Sequence, residues 1–345
     1  MLYVTTRDGG NPVPAEWVLT HDRAPEGGLY TPASLPSYTG DDLAELKNKS
    51  ENQIIAEILN LFFERGLTEW DVRLCLGQNP GKVCSMPHRI HFLEMWNNPG
   101  WSVKYAVRSL GQRMGLSKGD AAGKWVTIAL YSALLFGAYA ELLRQGVLEC
   151  GDKLDVAVSV GDYSAPMAAL YAGAMGLPVG GILCGCNENG ALWDLLKHGQ
   201  VRTGVQPLKT DTPLCDWVIP PWLEDGIFRT LGQEETLRFV RCCEKSEIYL
   251  LNEENREIIA GVFHAAVVGS RRMTDLMNTL YATGRYRMGP YTALAYAAVQ
   301  DYRSTGAAGC DALVLGERCA EEDGLLVSRA IGVPPEELRI PAVWN

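Results

Sequence analysis

Apolar and polar positions divide the chain into blocks with two different periods. Over residues 41–65, Leu43, Ile54, Ile55, Ile58 and Leu59 recur at helical spacing among charged residues, which predicts an amphipathic helix. The helical pattern returns over 101–114, and after a link at 115–123 the run 125–140 carries no charge at all. A stretch that is apolar all round, yet shorter than the roughly 20 residues a membrane span requires, is expected to form a buried core helix. From 154 to 160 the pattern changes to a continuous apolar run of strand length. A helix is predicted over 165–175, a second strand over 179–184, and a further helix opened by Asn187-Glu188-Asn189-Gly190 and ended at Gly199. Strand, helix and strand joined by short turns bearing Gly and Pro predict a βαβ unit with parallel strands and a right-handed crossover. Further on, 212–219 reads as a strand, 234–245 as a helix and 312–315 as a late strand.

In a parallel sheet of this kind ligands sit beyond the carboxyl ends of the strands. That makes Gly161, Asp162, Tyr163 and Ser164, which follow the first strand of the βαβ unit, the expected binding edge. The net charge of −10 removes nucleic acid and anionic membranes from the expected partners. Ten scattered cysteines without paired CxxC elements read as reduced core thiols, and the start Met1-Leu2-Tyr3-Val4 lacks a signal peptide's basic and apolar regions, so a cytoplasmic protein is expected. His88 and His91 have a spacing that binds metal on a helix, but Pro87 argues against a helix there, and no metal is expected. Gly119-Asp120-Ala121-Ala122-Gly123-Lys124-Trp125 is one residue short of a phosphate loop and lacks its Ser/Thr, so it reads as the turn that starts the apolar helix. A small molecule remains the expected ligand.

Several segments, in order along the chain, resemble threonine synthase. The opening Tyr3-Val4-Thr5-Thr6-Arg7, followed by Glu26-Gly27-Gly28-Leu29-Tyr30-Thr31-Pro32 and Leu35-Pro36, is similar to that family's N-terminal signature. The stretch 161–199, with Met175-Gly176-Leu177-Pro178 and Asn187-Glu188-Asn189, is similar to its phosphate-loop segment. Pro213, Asp216, Ile219, Leu223 and Glu224 fall on a further family motif, as do Pro290, Thr292 and Ala293. The resemblance implies a tryptophan synthase beta-like fold of type II, a parallel sheet flanked by helices, with pyridoxal 5'-phosphate as cofactor and an amino acid or phosphate compound as ligand. In that register Glu94-Met95-Trp96-Asn97-Asn98-Pro99-Gly100-Trp101-Ser102-Val103-Lys104-Tyr105 falls on the Schiff-base segment, so Lys104 is the implied catalytic amine. Gly161, Asp162, Tyr163 and Ser164 are implied to meet the cofactor phosphate, and Glu317 the pyridine nitrogen. The implied division is an N-terminal region 1–90, a lysine segment with the remnant of the small domain at 91–124, and the large α/β domain 125–345.

The departures from the family pattern are as informative. Only 110–124 fills the interval that holds most of the family's small substrate domain, and the substrate-carboxylate loop Thr-Ser-Gly-Asp-Thr-Gly is missing. Gly161-Asp162-Tyr163-Ser164-Ala165 replaces the family's glycine-rich cradle, and a carboxylate at Asp162 opposes a phosphate dianion. Taken together, these changes predict a degenerate or repurposed homologue that does not make threonine from O-phosphohomoserine at a useful rate. The alternative is an active pyridoxal-phosphate lyase or transferase acting at the beta or gamma carbon of an amino acid. A third arrangement has a homo-oligomer or a partner chain supplying the missing domain.

Overall fold

The uncharged run folds as the middle of a 22-residue helix, Gly123–Arg144. The computed structural model describes residues 1–8, 10–95, 103–117, 123–161, 163–306 and 309–338. Among them this helix is long and apolar enough to cross a membrane, yet 83% of its apolar window is buried inside the fold, which is the placement of a core pillar. Helices Glu51–Phe63 and Ser164–Ala174 pack along it. At its first turn Trp125 meets Tyr3 edge-on at 4.9 Å and Tyr171 at 5.4 Å, tying the N-terminal strands to the core.

The strands, in chain order, are β1 (Leu2–Thr5), β2 (Val13–Pro14), β3 (Tyr30–Pro32), β4 (Lys82–Met86), β5 (Ile90–Glu94), β6 (Leu154–Ser159), β7 (Val179–Cys186), β8 (Gln200–Arg202), β9 (Ile248–Leu250), β10 (Phe263–Val267) and β11 (Asp311–Gly316). The central sheet has six of them in the order β10-β7-β6-β11-β5-β4. Its pairs are parallel except for β4, which joins β5 as an antiparallel edge. The register aligns Val156 with Ile182 on one side and Leu313 on the other, and Val314 with Phe92. Strands covered on both faces read as continuous apolar runs, and β6 and β11 are buried along their whole length. Helix Pro290–Ser304 lies directly on β7, where a Cβ at Gly185 would collide with the backbone of Leu294. Only glycine permits that approach.

The βαβ unit forms as predicted, from β6 through helix Ser164–Ala174 to β7, and the mostly parallel α/β architecture is present. Three local expectations change. The helix expected over 41–65 is two helices, Gly40–Glu45 and Glu51–Phe63, because Ser50 starts a new one: its Oγ accepts from Gln53 N at 3.1 Å, and its own N–H donates to Gln53 Oε1 at 2.8 Å. The five residues expected to face inward are all buried. The strand expected over 212–219 is a 3-10 turn, Pro213–Cys215, held by Asp216, whose carboxylate accepts from Thr210 and Asn187. Pro213 and Pro220 have no N–H to give a sheet ladder. The division at 90/91 falls inside the β4–β5 hairpin, so the end of the first region and the start of the second share one sheet with the third. That hairpin turns at His88 and Arg89, both with positive φ (66° and 59°), as such tight turns require. His91 is bonded to Ser85 at 2.9 Å and to Asp311 at 2.8 Å, a structural tie between strands. Among the described residues no His, Cys, Asp and Glu cluster is arranged to hold a metal.

Candidate functional site

The carboxyl ends of β6 and β11 bring the sequence-predicted residues to one edge of the sheet. Past β6 the chain runs through Gly161 to Tyr163 and Ser164, where a helix begins; past β11 it reaches Glu317. Ser159 Oγ donates to Glu317 Oε2 at 3.4 Å, so the structure does bring Glu317 to the predicted edge. Asp162 lies outside the described residues.

The face of Gly161 is closed by the chain itself. A Cβ there would lie 2.9 Å from Cys215 Sγ and 3.2 Å from Leu214 O. The Pro213–Cys215 turn therefore sits against the glycine, and Trp217 fixes it by donating from Nε1 to Leu214 O at 2.7 Å. Burial pushes the Cys215 thiol far up, which keeps it neutral and inert.

On the other side of the loop a pocket of about 340 Å³ is lined by Asp22, Arg23, Lys124, Thr127, Tyr163 and Ser164, among others. Tyr163 is its central wall. Its hydroxyl donates to Asp225 Oδ2 at 2.8 Å, and Tyr171 donates to the same oxygen at 2.9 Å. Burial, reinforced by the Asp225 charge, raises the Tyr163 phenol well above its usual range, so it stays a neutral donor. Lys124 Nζ lies 3.8 Å from the centre of the Tyr163 ring, on its face. The nitrogen is sealed from solvent and has no hydrogen-bond partner among the described residues. Burial lowers its pKa to about 8, with Asp225 pulling the other way. It also stands in the first turn of the core helix, where the exposed N–H groups disfavour a cation.

Lys104 is placed differently. It lies in the first turn of helix Val103–Arg113 with its side chain exposed to solvent, and it does not line the pocket. The lysine that meets Tyr163, and lines the pocket with it and Ser164, is Lys124, which the sequence pattern placed in a helix-start turn. One signal was available: a lysine leads a long uncharged helix from the end that least favours positive charge.

Two family-like motifs are bound to each other. Glu224 takes a bidentate pair from Arg7, Nε to Oε1 and Nη2 to Oε2, both at 3.0 Å, and the Thr6 hydroxyl at 2.6 Å. The Thr6 hydroxyl also accepts from Leu29 N, which locks the Gly27-Gly28 turn in place. Asn187 and Asn189 in turn donate to Asp216 Oδ1 at 2.8 and 3.3 Å. Both sets act as internal clamps around the sheet's carboxyl edge.

Comparison with known proteins gives three findings. The sequence pattern of the threonine synthase N terminus matches residues 2–78. Human threonine synthase-like 1 is 28% identical over 162 residues, 46% of this chain and 22% of that protein; the Macaca fascicularis protein of the same name is 26% identical over 258 residues, 72% of this chain and 34% of that one. The chain thus aligns with about a fifth to a third of the length of these curated relatives. In fold, it is similar to PLP-bound threonine synthase from Brucella melitensis (TM-score 0.82, 16% identity, 99% of this chain and 93% of that one) and to threonine synthase from yeast (TM-score 0.82, 14% identity, 98% and 93%).

Proposed function

We propose that the chain is a diverged member of the threonine synthase family, whose α/β architecture it shares, and that it is a repurposed, non-catalytic homologue that acts as a binding or assembly component. The observation that carries this reading is the placement of Lys104 in solvent, away from the pocket. Pyridoxal chemistry depends on an amine held against the cofactor in a shielded site, which an exposed side chain does not provide.

The other residues assigned to pyridoxal phosphate do not fit it either. A phosphate cradle needs glycine backbone open to the ligand, whereas Gly161 is packed against Leu214 and Cys215. Tyr163, in the same loop, is committed to Asp225 and to the Lys124 ammonium. No step of a pyridoxal mechanism is therefore assigned to this chain. What the family motifs still do is structural: Thr6 and Arg7 hold Glu224, and Asn187 and Asn189 hold Asp216.

The test is the visible absorbance of the purified chain after incubation with pyridoxal phosphate, for the wild type and Lys104→Ala, alongside a threonine assay with O-phosphohomoserine. The expected result is no Lys104-dependent band and no threonine. A band that disappears in Lys104→Ala, accompanied by threonine release, overturns the reading.

A further inference from the structure

We infer that the outer face of the helix pair Glu69–Leu76 and Val103–Arg113 is a docking surface for an acidic, amphipathic helix of a partner protein. The surface rests on the binding-component reading and names the chemistry of the partner. The absorbance test with Lys104→Ala decides that reading by itself, so the reading and the surface can fail independently.

The two helices pack against each other and run antiparallel. Arg113 Nε donates to Asp71 Oδ1 at 2.6 Å, and one turn along, the Ser109 side chain bonds the Cys75 thiol, so rising numbers on one helix meet falling numbers on the other. Asp71 and Cys75 thus face the neighbouring helix, and Val72 and Leu76 are buried in the core. With about 3.6 residues per turn, this leaves Trp70 and Leu74 pointing outward. On the second helix Ala106, Val107 and Leu110 take the core side, Ser109 and Arg113 the neighbour, and Tyr105 and Arg108 the outer face. Trp70, Leu74 and Tyr105 are 61%, 61% and 57% exposed. One exposed apolar side chain needs no explanation, but three large ones on one face of a helix pair mark an interaction site.

Charge selects the occupant. The chain carries −10 overall, yet residues 95–119 hold four basic side chains and no Asp or Glu. Lys104 and Arg108, about one turn apart, are exposed and make no ion pair among the described residues, and Arg73, beside Leu74, is in the same state. Trp, Tyr and Arg are the side chains that anchor interfaces, and an apolar centre with basic flanks is complementary to apolar residues bordered by Asp or Glu. A helix presents both on one face and packs into the groove between two others as a third member. A second copy docked face to face would set Lys104 and Arg108 against their own equivalents, and an anionic bilayer would meet a molecule that is negative overall, so charge disfavours both.

The experiment is fluorescence anisotropy on the full chain with a labelled peptide of about 18 residues, about five helical turns, whose leucines share one face and whose other positions are Glu and Ala. The control peptide has the same composition with its leucines scattered. An acidic peptide that binds a protein of net charge −10 must find a locally basic surface. The expected result is saturable binding at least about tenfold tighter than the control, weakened several-fold between about 0.05 and 0.5 M salt. Arg108→Glu and Leu74→Glu should each weaken it by about tenfold or more, whereas Leu325→Glu, at an exposed leucine outside this face, should leave it unchanged. All three positions are exposed, and circular dichroism confirms that each variant keeps the wild-type fold. No saturable binding, or binding that Arg108→Glu and Leu74→Glu leave unchanged, overturns the inference. So does self-association in sedimentation that Leu74→Glu abolishes while the peptide does not bind, since the occupant is then a second copy. Flotation with phosphatidylserine vesicles that the same variants abolish, again without peptide binding, overturns it in favour of a membrane.

Discussion

Lys124 Nζ and the ring of Tyr163, 39 residues apart in sequence, meet at 3.8 Å, and no acceptor among the described residues hydrogen-bonds the lysine, whose charge is offset only in part by the Asp225 carboxylate. A folded-state pKa lowered to about 8, against about 10.4 in the unfolded chain, means that the unfolded state binds more protons between those values. Stability therefore rises with pH through that window, and below about 8 the lysine is a liability. Lys124→Met is expected to be more stable than wild type at pH 7, by on the order of 1–3 kcal/mol, with the difference shrinking by pH 10. Urea denaturation at pH 7, 9 and 10 measures it; a constant difference across that range refutes the assigned charge cost.

The half-buried Glu51 shows the opposite sign. Burial lifts its carboxyl to about 7, although Gly81 N donates to it at 2.9 Å. Here the folded state holds the proton more tightly, so stability falls as pH rises from about 4.5 toward 7. Glu51→Gln keeps an oxygen for Gly81 and removes the charge. Its stability should match wild type at pH 4 and exceed it at pH 8 by roughly 1 kcal/mol after allowance for its partial exposure, seen as a higher melting temperature at pH 8. Equal melting temperatures at pH 8 count against the buried-carboxylate account.

The clamp on Glu224 is a bidentate guanidinium pair with a third donor from Thr6. Glu224→Ala leaves Arg7 and Thr6 facing an empty position at low exposure, and a loss of about 3–5 kcal/mol is expected from breaking such a pair on one side. Arg7→Lys keeps the charge but loses the fork, and should cost less than half as much. Chemical denaturation of both variants checks the order; if Arg7→Lys proves as damaging as Glu224→Ala, the two-pronged geometry is not what matters.

Gly185→Ala tests the close approach of helix Pro290–Ser304 to β7. The added methyl meets the backbone of Leu294, so helix Pro290–Ser304 must lift off β7. Soluble expression is expected to fall sharply, or stability by more than about 3 kcal/mol. Normal expression with an unchanged melt means the helix has room that the structure does not show.

Much of the architecture was legible in the sequence because it is local. The apolar run 125–140, the strand ending at Ser159 and the Met175-Gly176-Leu177-Pro178 turn each declare themselves within a dozen residues. The short strands β4 and β10 were not, since Lys82–Met86 and Phe263–Val267 gain their identity from the neighbours they pair with. Likewise, the sequence located Gly161 and Ser164 at the sheet's edge but could not show that Cys215 and Leu214 close over the glycine. Nor could it choose between Lys104 and Lys124: whether a lysine is solvated or sealed depends on what packs over it, and Tyr163 and Asp225 come from distant parts of the chain.

Strand β11, residues 311–316, pairs with β5 on one side and β6 on the other, so a ribosome delivers the middle of the sheet only after both of its neighbours and after β7 and β10 as well. Until it emerges, β5 and β6 each wait with an unpaired border, and the nascent chain holds two half-sheets that cannot join. Closing the core thus waits on pairings distant in sequence, which slow folding, and until they form the two borders are open templates for strands of other molecules.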